Sequence, residues 1–137
     1  MPFTIEDRLA ITDLVSLHGH LTDAGELDRM RELFTEDVVY DVTDLGGEPI
    51  EGLAALRDAA LALGAGNPVG HHVTNVVVEA ETADRARVRS KGIGIRTDGS
   101  CGSVTYEDTA VRLPEGWRIT HRRILARRVP LNGGDST

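Results

Sequence analysis

A chain of 137 residues has room for one core-bearing domain and shows no sign of a second. Its 22 acidic against 15 basic residues leave a net charge of −7, which argues against nucleic acid or an anionic membrane as the main partner. The single Cys101 cannot form an internal disulfide, and no Cys/His cluster has zinc spacing, which fits a reducing interior and no structural metal. No apolar run is long enough to span a bilayer and the start lacks a signal pattern, so the expected address is cytoplasmic.

Helices come first and strands later, the order of an α+β domain. Thr4 and Asp7 resemble a capping box, and Ile5, Leu9, Ile11, Leu14, Val15 and Leu21 carry a helix to about Thr22. A second, short helix is predicted from about Glu26 to Phe34, a strand over Val38–Val42, a loop over Asp44–Pro49, and an Ala/Leu-rich helix from Gly52 to Leu63. Glycine and proline in Gly64-Ala65-Gly66-Asn67-Pro68 end that helix. From His71 the hydrophobic period becomes two. Strands are predicted near His72–Ala80, Arg85–Arg96, Ser103–Leu113 and Trp117–Arg127, joined by tight turns into an antiparallel meander. Residues 1–130 are read as one domain and 131–137 as a mobile tail.

On the first helix, Ile11, Leu14, Val15, His18 and Thr22 share one face, while His20 lies on the opposite, solvated side. A histidine on a buried stripe must be neutral, paired or hydrogen-bonded, either as a satisfied core residue or as part of a site. Asp23, about one turn on, is a candidate partner. Arg85, Arg87, Arg89 and Lys91 alternate outward with Ala86, Val88, Ser90, Gly92 and Gly94 inward, so the inner face becomes small. The space that leaves is either filled by a bulky neighbour or kept as a pocket.

Asp23, the Asp28-to-Asp37 segment, His72-Val73-Thr74-Asn75, Tyr106-Glu107-Asp108 and Gly116-Trp117-Arg118-Ile119, in that order over nearly the whole chain, resemble the SnoaL-like branch of the nuclear transport factor 2-like superfamily. The resemblance implies a cone, in which a curved, mostly antiparallel sheet wraps round the N-terminal helices and a pocket opens at one end. It also implies a dehydratase-like dyad with Asp23 orienting His72 as the proton-moving base. Parity agrees: if Glu79 faces water, then His72, Thr74, Val76 and Val78 face inward and His71 and Asn75 outward. By the bile-acid dehydratase pattern, His18 stands where that enzyme has a tyrosine, and Asp108 and Arg123 are candidates for its strand Asp and late Arg. Tyr106 shares a strand face with Asp108. In the last strand, if Ile119 points in then His121 and Arg123 do too, leaving Arg118 and Arg122 solvated. The tyrosines of scytalone dehydratase fall on Thr22 and Val42, which argues against scytalone itself as the substrate.

Three kinds of function follow. One is a cofactor-independent lyase or isomerase acting on a small apolar, ring-containing carbonyl or hydroxy compound, with His72 and Asp23 as the dyad and Tyr106 or His18 as donor. A polyketide or terpenoid cyclase, or an epoxide hydrolase, is the second, although no Asp-Arg-Asp set for the hydrolase is evident. The third is a non-catalytic ligand-binding module. A homodimer is expected through an outer sheet face carrying Val73, Val77, Ile93 and Ile95, unless the segment Leu125–Leu131 folds over it.

Overall fold

The computed structural model describes residues 2–133, apart from the Asn132 side chain. Helix α1 (Ile5–Asp23) begins at the expected capping box, with Thr4 Oγ1 accepting from the Asp7 amide and the Asp7 carboxylate accepting from the Thr4 amide. Asp7 also holds the start of the helix to the sheet. It takes two bonds from the Arg112 guanidinium, at 2.8 and 2.9 Å, and one from Trp117 Nε1 at 3.1 Å. Ile11, Leu14, Val15 and Leu21 enter the core, whereas Ile5 and Leu9, before the helix reaches the sheet, stay exposed.

The predicted second helix is a shorter 3-10 turn, Leu27–Glu32, and β1 (Phe34–Asp41) starts earlier than its apolar run suggested. A two-residue strand β2 (Ile50–Glu51) then leads into α2 (Leu53–Leu63). Four long strands follow: β3 (Gly70–Thr82), β4 (Arg85–Ile95), β5 (Cys101–Leu113) and β6 (Gly116–Arg127). They make one curved, open six-stranded sheet in the order β2-β1-β6-β5-β4-β3, antiparallel except where β1 runs parallel to β6. Helix α1 packs on its inner face against β3 and β6. The fold is the expected α+β cone.

Two bulges re-aim side chains. Thr74 pairs with Lys91 but Val77 with Arg89, so β3 carries one extra residue there, and Asn75 sits at φ 57°. Before the bulge His71 and Val73 face inward, and after it Val76 and Val78 do. Counting back from Glu79 therefore places His72 on the wrong face: it is exposed, and Val73 belongs to the inner side. In β6, Thr109 pairs with His121 but Ala110 with Ile119, leaving Thr120 as the extra residue. Ile119 and Arg122 both point in as a result. The expectation that Arg122 is solvated while His121 and Arg123 follow Ile119 inward is overturned by that insertion.

On the outer face Val77 and Ile93 remain 46% and 40% exposed, while Val73 leaves the apolar patch proposed for dimerisation. The expected tail begins as a 3-10 turn, Pro130–Gly133, with Leu131 exposed, so this segment does not bury itself on that patch. Residues 134–137 of the tail lie outside the described residues.

Candidate active site

The last turns of α1 deliver His18, Thr22 and Asp23 to the beginning of β3, and a glycine makes that approach possible. A methyl group on Gly19 would sit 2.3 Å from the His71 carbonyl oxygen, so only a residue without a side chain lets helix and strand meet here. Asp23 is thereby brought to His71. Its Oδ1 lies 2.7 Å from His71 Nδ1, and the His71 amide donates to both carboxylate oxygens at 3.1 Å. The expected Asp23–His72 pair does not form; because of the Asn75 bulge it is His71 that meets Asp23. A carboxylate on Nδ1 fixes the tautomer protonated at that nitrogen and leaves Nε2 as the basic one.

His71, His18, Thr22, Tyr40 and Tyr106 line a cavity of about 460 Å³, whose other walls are largely apolar, with Met30, Phe34, Leu56, Val104 and Ile124 among them. The shrinking inner face of β4 has both of the expected fates. At Gly92 the space is taken by Tyr106, whose Cε2 lies 2.5 Å from where a methyl would stand, and Gly94 lines the cavity itself.

His18 is 5% exposed, with its ring edge-on to His71, Phe34 and Tyr106 at centroid distances of 6.0 to 6.1 Å. Burial, then the Arg122 charge and then His71 hold its pKa well below the ordinary 6.5, so it is a neutral imidazole. Among the described residues, its buried Nδ1 and the buried Thr22 hydroxyl have no hydrogen-bond partner. Burial likewise pushes the Tyr106 and Tyr40 phenols up, against the pull of Arg122, so both remain protonated.

Behind Tyr106 lies a residue the strand pattern missed. Arg122 is fully buried, forms two bonds to Asp108 at 2.8 and 2.9 Å, and its guanidinium stands 4.2 Å from the Tyr106 ring centre. Burial opposes its charge, but the Asp108 carboxylate more than offsets this and raises its pKa. Asp108 shares the inner face with Tyr106 as expected, yet it is spent on Arg122 and is not part of the cavity wall. Arg123 and His121 line a cleft on the opposite side of the sheet, where Arg123 lies 3.6 Å from Glu107. Of the sequence candidates, His18, Asp23 and Tyr106 gather at the cavity and its rim; His72, Asp108, His121 and Arg123 do not. Among the described residues, no cluster of three or more His, Cys, Asp or Glu side chains could hold a metal.

The model of the SnoaL-like domain matches residues 4–123. An uncharacterised protein of Mycobacterium tuberculosis is 32% identical over 126 residues, covering 86% of this chain and 84% of its own. Two solved structures from Novosphingobium aromaticivorans are similar in sequence and shape. One carries the provisional name aromatic ring hydroxylase (31% identity, TM-score 0.77, 92% of both chains). The other is a nuclear transport factor 2-like protein with a cystatin-like fold (30%, 0.75, 96% of this chain and 86% of that one). A hexachlorocyclohexane dehydrochlorinase, LinA type 2, shares the fold at 18% identity and TM-score 0.76, covering 90% of this chain and 87% of its own. With the family model spanning most of its length and the cone built as the family builds it, the chain belongs to the SnoaL-like domain family.

Proposed function

We propose that the protein is a cofactor-independent lyase or isomerase of dehydratase type, acting on a small apolar, ring-containing carbonyl or hydroxy compound. The observation that carries this reading is the Asp23–His71 pair, 2.7 Å apart, with His71 on the wall of a mostly apolar cavity. His71 Nε2 takes the proton from the carbon next to a carbonyl, and Asp23 steadies the imidazolium that forms. Tyr106, kept protonated by burial, donates to the oxygen on which enolate charge develops. In a dehydration the electron pair of the broken C–H bond becomes the new C=C bond, and hydroxide leaves from the next carbon, taking back from His71 the proton that makes it water. In an isomerisation His71 returns the same proton to a different carbon. A dehydrochlorinase on this fold fits the first branch, since its name denotes the same kind of elimination with chloride leaving.

The test is a panel of hydroxylated aromatic ketones, steroids and terpenoids, incubated in heavy water and read by mass spectrometry for loss of water or gain of deuterium. His71→Gln and Asp23→Asn are expected to lower turnover by about 10²–10⁴-fold, while His72→Gln leaves it near wild type. Wild-type rates in both dyad variants overturn the proposal, and saturable binding without turnover across the panel assigns the cavity to a binding module.

A further inference from the structure

The cavity wall contains two formally cationic side chains, Arg57 and Arg96, and no acidic one, in a protein whose net charge is −7. The two arginines are not equivalent. Arg57, on α2, is already paired with Asp28. Arg96, immediately after β4 and exposed, makes no ion pair among the described residues; its Nη1 donates to the Ser100 hydroxyl at 3.3 Å, and its charge acts on the Asp98 carboxylate only from beyond contact distance. The nearby Asp98 carboxylate is occupied by the amide and hydroxyl of Ser100.

Register places Arg96 relative to the dyad. His71 pairs with Gly94 on β4, and Gly94 pairs with Gly102 on β5, so the three form one row across the cavity floor. Two members of that row have no side chain. Arg96 folds back over its far end, since a methyl on Gly102 would stand 3.5 Å from Arg96 Nη2. Two strand spacings, about 10 Å, separate β3 from β5, roughly the width of a one- or two-ring skeleton lying on the bare glycine floor between them.

We infer that Arg96 is a specificity residue that binds a carboxylate on the substrate, so that the compound taken by this cavity is a cyclic organic acid with its reactive carbon at His71 and its anionic group at Gly102. This rests on the lyase or isomerase reading and names the substrate class for it. Arg96 is the one arginine of the cavity wall without an ion-paired carboxylate among the described residues, and its planar fork suits one two-pronged carboxylate contact; Arg57, the other cation of the wall, is taken by Asp28, which leaves one positive charge for one negative charge on the ligand.

Binding is measured without turnover, by calorimetry and thermal shift, using naphthoate, naphthamide and naphthyl phosphate, with cyclohexanecarboxylate and its amide as the one-ring pair. For at least one ring size the acid is expected to bind about tenfold more tightly than its amide, the value of one charge-assisted contact. Arg96→Gln removes that preference with little change in amide affinity or in Tm. Equal binding of acid and amide, no binding of either acid, tighter binding of the phosphate, or a preference that survives Arg96→Gln each overturn the inference. His71→Gln separates the two readings: it retains the acid preference if Arg96 reads the carboxylate, whether or not His71 is the base.

Discussion

Gly19 joins helix propensity, packing and chemistry in one residue. Inside an exposed helix, replacing glycine by alanine gains about 1 kcal/mol, but here the added methyl meets a backbone carbonyl 2.3 Å away, which cannot swing aside as a side-chain tip would. Overpacking costs typically 1–3 kcal/mol, so the clash outweighs the propensity. It also acts on the Asp23–His71 contact, because the carbonyl displaced belongs to His71 itself. Gly19→Ala is expected to lower the urea midpoint and to reduce turnover, whereas an alanine-neutral exposed position of the same helix, Ser16→Ala, changes neither. Unchanged stability in Gly19→Ala would show that α1 can lift off β3 without loss.

At the scale of the element, binary pattern reads a strand's faces only while its period of two is unbroken. The inner face of β4 and the shared face of Tyr106 and Asp108 were legible because nothing interrupts the alternation of β4 and β5, and the α1 cap was legible from the spacing of Thr4 and Asp7 alone. The inward positions of His71 and of the buried Arg122 were not, because each lies on the far side of an inserted residue from the position used to set parity. Asn75 carried a signal, since asparagine tolerates positive φ better than most residues; Thr120 carried none. The second bulge is what puts Arg122 inside, and its pairing makes a sharp expectation. Removing one partner of a buried ion pair costs about 3–5 kcal/mol, whereas replacing both by apolar residues of similar volume is often neutral. Arg122→Met alone should therefore be far less stable in urea than the double variant Arg122→Met, Asp108→Leu. Equal losses would mean that the packing of Arg122 against Tyr106 and Phe34, and not the pairing of charges, holds it there.

Over the whole molecule, acid acts on the fold in two pH windows, led by His18 and Asp7 at opposite ends of α1. His18, buried and neutral, has a folded pKa below its ordinary 6.5. As pH falls through that value the unfolded chain gains a proton that the folded one refuses, so stability begins to fall below about pH 6.5, by up to about 1.4 kcal/mol per pH unit for one proton. Asp7 is shifted down first by the Arg112 guanidinium, then by the Thr4 amide and Trp117 Nε1. Its contribution is complete above the usual carboxylate range near pH 4 and drains away only as the pH falls below it; Asp41 and Asp98, held low by Thr43 and Ser100, add to the same window. Urea midpoints measured from pH 7.5 to 3 should thus show two slopes. His18→Gln should flatten the one between about pH 6.5 and 5 and leave the lower one, while Asp7→Asn should lower stability at neutral pH and soften the loss below pH 4. A flat profile down to pH 5 in the wild type would mean that His18 takes up a proton inside the fold, and the neutral imidazole on the cavity wall would have to be given up with it.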